Sequence, residues 1–342
     1  MARLSRVDCS SPGIGRVRRG KRFSYEEDDG TRIADREVRE RIRELVIPPA
    51  WKDVWICPNP RGHIQATGYD AAGRKQYLYH PEWRRQRDEA KFDHVLTVAK
   101  RLPKARERVA RDLRASGMPR RRALALAFRL LDLGFFRIGG EAYAEENESF
   151  GLATIRKDHV AVTGDRVEIA YVAKGGKDQL TALADPDVIT TVRELRRRRG
   201  GTEELLAYKE NGRWHDVESV EINEHLKELV GGSITAKDFR TWHGTVLAAV
   251  ALAVSSRASD SPTARKRAVA RAMSEVADYL GNTPAVVRSA YVDPRVIDLF
   301  EDGITIERSL RRLGEDTDPG HPATHGAIER AVVRMLTQHR ST

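Results

Sequence analysis

The sequence predicts an α+β fold: a small antiparallel β-sheet domain, then a larger and mainly α-helical domain that contains a β-hairpin. Two patterns predict it. Short runs rich in β-branched and aromatic residues, separated by turn clusters, fill residues 54–79. From Pro81 onward, apolar residues recur instead at the three- and four-residue spacing of helices. We place the domain boundary where one pattern replaces the other, which gives domains of residues 1–88 and 89–342.

The first domain begins with its least regular segment. Residues 1–34 are basic and contain several glycines, and they predict an arm or short strands. A helix is expected over Asp35–Val46, because an Asp precedes the helical pattern and Pro48-Pro49 ends it. Three strands of a modest antiparallel sheet are then predicted, at Val54–Cys57, His63–Thr67 and Lys75–Tyr79.

Helices dominate the second domain. Pro103 is expected to divide its first long helical stretch, because proline removes a backbone donor from a helix interior. A single hairpin, His159–Val162 paired with Val167–Ala173, interrupts the helices. The predicted helices are Glu82–Lys100, a second one ending near Ala115, Arg121–Phe135, and residues 186–199, 219–230, 235–255 and 262–280.

Composition limits the partners and the compartment. The 342 residues include 60 Lys and Arg against 50 Asp and Glu, a net charge of +10 that favours a polyanionic partner such as nucleic acid. Cys9 and Cys57 have no metal-ligand spacing and form no disulfide framework, which predicts a reducing, cytoplasmic location. The longest apolar run, Val246–Val254, has nine residues, and the N-terminus has no apolar signal core. We therefore expect no membrane association.

A tyrosine near the end of the helical region is the first chemical candidate. Gly281 is a natural helix terminator, and Thr283-Pro284 is a natural restart. Asn282 therefore lies in a tight break between two helices, and Tyr291 follows about two turns down the second helix. By itself, this pattern predicts only a helix–turn–helix with a packed tyrosine.

Three basic residues have suggestive neighbours. Arg240 lies near the start of a predicted helix, Arg137 stands beside two glycines, and Lys174 lies at the tip of the predicted hairpin. Any one of them would more commonly be a solvated or ion-paired side chain. Their combination with Tyr291 is what suggests a site.

Together these residues resemble the type IB DNA topoisomerases, specifically the compact poxvirus-like enzymes found also in bacteria. The resemblance spans nearly the whole chain. In the first domain it is carried by IPPAW (47–51), GHIQATG (62–68) and GRKQYLYH (73–80). In the second it is carried by RIG (137–139), ENESFGL (146–152), Lys174, KDFR (237–240) and the stretch from Leu280 to Tyr291.

The resemblance implies a fold, an activity and a site. The fold is the catalytic fold shared by tyrosine recombinases and type IB topoisomerases. The activity is relaxation of supercoiled duplex DNA through a transient 3′-phosphotyrosyl bond, strand rotation and religation, without ATP, cofactor or required metal. It further implies a monomer that forms a clamp around double-stranded DNA in the bacterial nucleoid.

The resemblance also assigns roles to residues. Tyr291 matches the nucleophile, Arg137 and Arg240 the phosphate-binding arginines, and Lys174 the general acid. Asn282 stands where the family usually has a histidine. Gln76, Tyr77, Tyr79 and Tyr143 match residues that contact DNA. Gly140 replaces a basic, base-contacting side chain of the viral enzymes, which argues against strict sequence-specific cleavage.

The residue types suit this chemistry. Transesterification at a phosphodiester builds charge on non-bridging oxygens, which two guanidinium groups bind by charge-assisted hydrogen bonds. The leaving 5′-oxygen needs a proton, which an ammonium group can supply. A phenol with a pKa of about 10 is a poor nucleophile unless nearby cations favour the phenolate.

Two other functions use parts of the same pattern. A tyrosine site-specific recombinase has a similar Arg–Lys–Arg–Tyr set, but such enzymes carry helical domains in place of the small sheet and act as tetramers. Residues Ala323–His339 could be mistaken for the exchange helix of that family. A non-catalytic architectural DNA-binding protein would have no need of the complete set Arg137, Lys174, Arg240 and Tyr291.

Overall fold

The computed structural model describes residues 4–20, 22–140, 149–256, 261–313 and 325–339. The chain divides into two compact units, Met1–Asp93 and His94–Thr342. The first unit is built on a β-sheet and the second is mainly helical, as the sequence predicts.

The sheet of the first unit has five strands, two more than the three that the sequence analysis places. All neighbouring strands are antiparallel, in the order β2-β1-β3-β4-β5. The additional pair, β1 and β2, lies in the basic segment where the sequence predicts only an arm or short strands. The strands are β1 (Ile14–Arg19), β2 (Arg22–Glu26), β3 (Lys52–Ile56), β4 (Ile64–Tyr69) and β5 (Lys75–Tyr79).

One short helix closes the core of this unit. Helix α1 (Arg36–Glu44) begins as predicted, because the Asp35 carboxylate accepts a hydrogen bond from the backbone N–H of Val38 at 3.0 Å. Its single buried side chain is Ile42. That side chain packs with apolar residues of the strands, among them Ile14, Val54 and Ile56.

Helix α2 (Pro81–Leu113) is continuous, so the predicted interruption at Pro103 is wrong. A proline in a helix interior removes one hydrogen bond and costs about 3 kcal/mol. On either side of it, Leu102 and Ala105 are completely buried. Burial of this apolar face offsets the local cost, which periodicity alone does not reveal.

The second unit contains most of the helices, close to their predicted positions. Its largest fully buried side chains include Trp242, Phe128, Phe136 and Phe239. Among the described residues, no helix is long and apolar enough to cross a membrane. Its helices are α3 (Arg120–Gly134), α4 (Pro186–Arg197), α5 (Ser219–Val230), α6 (Ala236–Ser255), α7 (Pro262–Leu280), α8 (Pro284–Ala290), α9 (Pro294–Glu301), α10 (Glu307–Leu313) and α11 (Ala327–Gln338).

The predicted hairpin is part of a three-stranded antiparallel sheet. Strands β6 (Val160–Thr163) and β7 (Arg166–Ala173) pair as expected, and β8 (Lys177–Leu183) adds to the other edge of β7. Strand β8 is mostly polar and exposed, so the sequence lacks the apolar alternation that would predict it. A further hairpin, β9 (Ala207–Glu210) with β10 (Arg213–Asp216), was also not predicted.

Candidate active site

The break before Tyr291 has the predicted form. Helix α7 ends at Leu280, and Gly281 takes a left-handed conformation with φ of 59°. The Thr283 hydroxyl then caps α8 by accepting from the N–H of Val286 at 3.4 Å. Tyr291 is the residue immediately after α8, and its N–H bonds the carbonyl of Val287 at 2.9 Å. The short helix therefore fixes the separation between Asn282 and Tyr291.

Helix α6 holds the backbone of Tyr291 through a close contact. A Cβ atom placed on Gly244 would lie 2.9 Å from the carbonyl oxygen of Tyr291, so only glycine permits this approach. The next residue, Thr245, donates its hydroxyl to the same carbonyl at 3.4 Å and accepts from the N–H of Asp293 at 3.1 Å. The backbone of Tyr291 and that of Asp293, two residues later, are thus tied to one helix.

Arg240 lies one helical turn before Gly244 on the same helix and is only 4% exposed. Its Nη1 donates to the carbonyl of Phe135, and its Nη2 donates to the carbonyl of Leu280 at 2.6 Å. Its Nε is buried and has no hydrogen-bond partner within the described ranges. The central guanidinium carbon is 5.2 Å from the centre of the Tyr291 ring. A fixed cation therefore stands beside the phenol.

This cation changes the acidity of the tyrosine. Burial raises the pKa of the Tyr291 phenol, but the charges of Arg240, Lys237 and Arg137 lower it by more, so the pKa is below its ordinary value. The pKa of Arg240 is itself lowered, by burial and by the neighbouring Arg137 charge. Tyr171 behaves differently, because its burial outweighs the same two arginines and raises its pKa to about 12.

The backbone that carries Arg137 is fixed by two glycines. Gly139 has φ of 80°, and a Cβ atom on Gly151 would lie 2.4 Å from the Gly139 Cα atom. The N–H of Leu152 donates to the carbonyl of Arg137 at 2.8 Å, and the N–H of Ala153 to that of Ile138 at 2.8 Å. The two motifs 137–139 and 146–152 thus meet in space where both are described.

Arg137 also contacts Asn282 directly. Its Nη2 donates to the Asn282 side-chain oxygen at 2.8 Å and to the carbonyl of Gly281 at 3.1 Å. The Asn282 amide nitrogen is buried, and it has no hydrogen-bond partner in the described part of the chain. The amide is therefore oriented with its donor side uncommitted.

Lys174 lies on the exposed turn between β7 and β8. The turn is closed by a hydrogen bond from the N–H of Gly176 to the carbonyl of Ala173 at 3.1 Å. Strand β7 carries Tyr171, and the positive charges of Arg137 and Arg240 act on the pKa of its phenol. Strand β8 carries Gln179, whose Oε1 would be 2.6 Å from a Cβ atom on Gly281. The two strands on either side of the lysine turn thus lie near Arg137, Arg240 and Asn282, which together form the arginine–asparagine cluster.

Four residues that lie close to the predicted site residues were not predicted from the sequence: Gly244, Thr245, Tyr171 and Gln179. A glycine in the interior of a 20-residue helix was the available signal for the first of them, because glycine there disfavours the helix by about 1 kcal/mol. The others have ordinary surroundings in sequence. Only the fold brings them to the site.

The predicted DNA-contacting residues of β5 lie on opposite faces of the strand. Tyr77 and Tyr79 are 41% and 39% exposed and stack with ring centres 6.0 Å apart. Gln76 lies on the other face, and its amide donates to the Asp70 carboxylate at 2.9 Å. Tyr143 falls outside the described residues.

A cleft of about 410 Å³ adjoins Tyr79. Its lining combines aromatic rings and cations, and the His63 and Trp83 rings in it meet edge to face at 4.9 Å. Arg84 and Arg87, from the first turns of α2, supply the positive charge. This combination is typical of a surface that contacts a nucleic-acid backbone.

Comparison with known proteins gives consistent similarities along the chain. The family model described as the catalytic core of eukaryotic DNA topoisomerase I matches residues 80–311, and that of the N-terminal domain of bacterial DNA topoisomerase IB matches residues 22–70. The chain is 28% identical over 298 residues to DNA topoisomerase 1B of Acanthamoeba polyphaga mimivirus, covering 85% of this chain and 88% of that protein. It is 22% identical over 275 residues to DNA topoisomerase 1B of Vaccinia virus (strain Copenhagen), covering 78% and 83%.

Proposed function

The chain belongs to the type IB DNA topoisomerases, of the compact poxvirus-like and bacterial kind, and from this premise we propose that Tyr291 is its nucleophile. It is a DNA topoisomerase, so duplex DNA is its substrate. The observation that carries the assignment of Tyr291 is the buried Arg240 guanidinium, whose carbon lies 5.2 Å from the tyrosine ring centre. That fixed charge favours the phenolate before DNA binds, and it can serve the phosphate afterwards.

The reaction exchanges one phosphodiester for another. The Tyr291 Oη attacks the scissile phosphorus, the bond from phosphorus to the 5′-oxygen breaks, and the DNA 3′-phosphate stays on the tyrosine. The phenolic proton leaves to solvent, and the 5′-oxygen receives a proton. Religation is the reverse reaction. Because the bonds formed and broken are of the same kind, neither ATP nor a metal ion is needed to drive either direction.

The two arginines would bind the non-bridging oxygens. Nη1 and Nη2 of Arg240 each donate one hydrogen bond to a backbone carbonyl, and each keeps a second N–H. Together with the buried Nε, which has no partner among the described residues, these N–H groups are its donors toward a ligand. Arg137 is anchored through Nη2, which donates to the Gly281 carbonyl and to the Asn282 side-chain oxygen. Guanidinium donors held in this way require no reorganisation as charge develops on the phosphate.

Asn282 would add one neutral hydrogen bond. Its oxygen already accepts from Arg137, so its buried amide nitrogen is the atom available to a phosphate oxygen. A neutral amide carries no charge and relays no proton, in contrast to the histidine usual in the family. We therefore propose that Asn282 stabilises the transition state and takes no part in proton transfer.

Lys174 would act as the general acid. Its ammonium group is carried on an exposed turn, and the strands that hold the turn lie near the arginine–asparagine cluster. Its proton would pass to the departing 5′-oxygen. During religation the neutral amine would accept a proton from the same hydroxyl.

DNA binding would use both units. We propose that Tyr77, Tyr79 and, after release from Asp70, Gln76 contact the duplex, with Tyr143 binding a phosphate. The protein would act as a monomer that closes around DNA of the nucleoid. While the 3′-end is held on Tyr291, rotation of the free strand would release supercoils of either sign.

The test is relaxation of negatively and positively supercoiled plasmid in EDTA without ATP, followed by trapping with detergent. We expect both plasmids to relax, and the trapped DNA to carry protein at its 3′-end. Tyr291→Phe should abolish both results. Absence of relaxation by wild type in the presence of binding would refute the proposal, and joining of two recombination sites would favour a recombinase.

A further inference from the structure

Two histidines and an aspartate meet in the interior of the helical unit, apart from the residues assigned above. Asp132 of α3 and His243 of α6 have fully buried side chains, and His325, just before α11, is 7% exposed. Oδ1 of Asp132 lies 3.4 Å from Nε2 of His243 and 3.3 Å from Nε2 of His325. One donor atom from each of the three residues lies within 4.8 Å of the others.

Three of the four histidine ring nitrogens make no close hydrogen bond within the described residues. Nε2 of His243 and of His325, and Nδ1 of His243, are buried without a hydrogen-bond partner among the described residues. The 3.3–3.4 Å separations nevertheless match the distance of about 3.3 Å between two ligands of a tetrahedral zinc ion with bonds of about 2.0–2.1 Å. This spacing fits a cation shared by the three residues, and it also lies within the range of a histidine–aspartate ion pair.

The charges around the cluster leave a net negative charge. Asp132 accepts two hydrogen bonds from Arg106 at 2.8 Å, and Arg106 also bonds the buried Glu329 at 2.5 Å and 3.0 Å. One guanidinium therefore faces two carboxylates. Arg129 approaches Asp132 only to 3.9 Å, and it is paired with Asp185 at 2.7 Å. A buried uncompensated charge is costly, and a bound cation would neutralise it.

We propose that Asp132, His243 and His325 bind a divalent transition-metal ion of the zinc type, with Asp132 Oδ1 and one nitrogen of each histidine as ligands. Two imidazoles and one carboxylate suit zinc and disfavour magnesium or calcium, which prefer oxygen donors. A water molecule completes the tetrahedron. The ion has a structural role, because it joins α3, α6 and the segment that begins α11, and no step of DNA cleavage passes through it.

The position of the cluster connects it to the nucleophile by packing. His243 directly precedes Gly244, which contacts Tyr291, and the His243 ring lies 5.2 Å from the ring of Phe135. The carbonyl of Phe135 in turn accepts from Arg240. An ion here would rigidify the segments that carry these residues without touching DNA.

The test uses the full-length protein stripped with a strong chelator and dialysed into metal-free buffer. We expect uptake of about one zinc ion per chain, measured by elemental mass spectrometry, and a rise in the thermal unfolding midpoint on adding zinc but not magnesium. Cobalt(II) should give the intense visible absorption of a tetrahedral site. Failure to bind either ion tightly, with no shift in unfolding, would overturn the proposal.

A matched pair of variants makes the assignment specific. His325→Ala removes a ligand near the surface of the unit and should abolish zinc uptake and the cobalt spectrum. His225→Ala is the control, because the Nε2 atom of His225 is also buried without a partner among the described residues, whereas its Nδ1 makes a single ion pair, with Glu228 at 3.9 Å, and it belongs to no cluster of three ligands there. Equal zinc uptake by the two variants would show that the cluster is only an ion-pair network. If His325→Ala fails to fold, the zinc stoichiometry and the cobalt spectrum of the wild-type protein still decide whether the cluster binds a metal ion.

Discussion

The side-chain oxygen of Asn282 accepts a hydrogen bond from Nη2 of Arg137 at 2.8 Å, so the orientation of the amide is set by a residue from a different part of the chain. The amide nitrogen on the other side is buried and has no partner within the described residues. A histidine at this position would carry a charge at some pH values, whereas the amide is neutral at all of them. The consequence is a donor of fixed direction and constant strength.

We expect Asn282→Ala to slow cleavage by about 10²-fold, the cost of losing one preformed donor to a developing oxyanion. Single-turnover cleavage of a labelled duplex measures the rate. Tyr291→Phe is the reference for complete loss. If Asn282→Ala were equally inactive while remaining folded, the residue would have a larger role than one hydrogen bond.

The charge of Arg240 should govern the pH dependence of cleavage. Its presence lowers the pKa of Tyr291, so more phenolate exists at a given pH than in an isolated tyrosine. Arg240→Ala removes that charge, and the acidic limb of the pH–rate profile should move to higher pH, with a loss of at least about 10²-fold in rate.

Arg240→Lys is the matched variant for this prediction. The lysine keeps a positive charge but lacks the planar set of guanidinium donors. The cleavage rate should therefore fall, while the acidic limb of the pH–rate profile stays closer to that of wild type. A profile for Arg240→Ala that is lower but unshifted would mean that the arginine serves the phosphate and leaves the phenol unaffected.

Gly244 should be required for placing the tyrosine. In Gly244→Ala the new methyl group would lie 2.9 Å from the Tyr291 carbonyl oxygen, so helix α6 and the tyrosine must separate. We expect a fall in kcat of about 10²-fold with little change in DNA affinity, because a small misplacement of a reacting group is costly. Gly140→Ala is the control, since a Cβ atom there meets no atom of the described residues within 4 Å. Equal activities of the two variants would contradict the role of the close contact.

The leaving group can be used to examine Lys174. Lys174→Ala should reduce cleavage of ordinary DNA by about 10²- to 10⁴-fold, the usual contribution of a general acid. A substrate with sulfur in place of the scissile 5′-oxygen has a leaving group that needs no proton, since thiols have a pKa of only about 8.5. The variant should cleave that substrate at nearly the wild-type rate. A defect that persists with sulfur would assign Lys174 to binding instead.

The exposed tyrosines of β5 should contribute to the affinity for duplex DNA without adding a charged contact to phosphate. Replacing Tyr77 and Tyr79 together by Ala should weaken duplex binding while leaving the dependence of log affinity on log salt unchanged. Arg84→Ala should instead reduce that slope by about 1, as the loss of one phosphate contact does. Titrations at several salt concentrations measure both, and unchanged affinity of the double variant would remove the tyrosines from the DNA surface.

Local sequence signals predicted most helices of the second unit to within a few residues. Asp35, Thr283-Pro284 and Gly281 marked helix ends correctly because capping depends on neighbours in sequence. The interruption at Pro103 was wrong because burial of Leu102 and Ala105 is a tertiary effect. Strand β8 was missed because its partner β7, and not its own pattern, makes it a strand.

The same difference, between local sequence signals and tertiary contacts, applies to the candidate site. Arg137, Asn282, Arg240 and Tyr291 were predicted together from ordered motifs, and the structure brings their side chains together. The alternation of a strand already placed Tyr77 and Tyr79 on one face. Nothing in sequence indicated that Gly244 contacts the Tyr291 backbone, or that Asp70 accepts a hydrogen bond from the Gln76 amide. Such contacts depend on the packing of elements distant in the chain.

The two backbone carbonyls bound by Arg240 come from the ends of different helices, Phe135 after α3 and Leu280 at the end of α7. One guanidinium thus caps both helices inside the protein, where water cannot replace it. The Tyr291 hydroxyl caps neither helix, so its loss leaves both of these carbonyls hydrogen-bonded to Arg240. In lineages where DNA cleavage is no longer under selection, we expect the tyrosine to diverge first and the arginine to persist, so retention of Arg240 would be a poor marker of an active descendant.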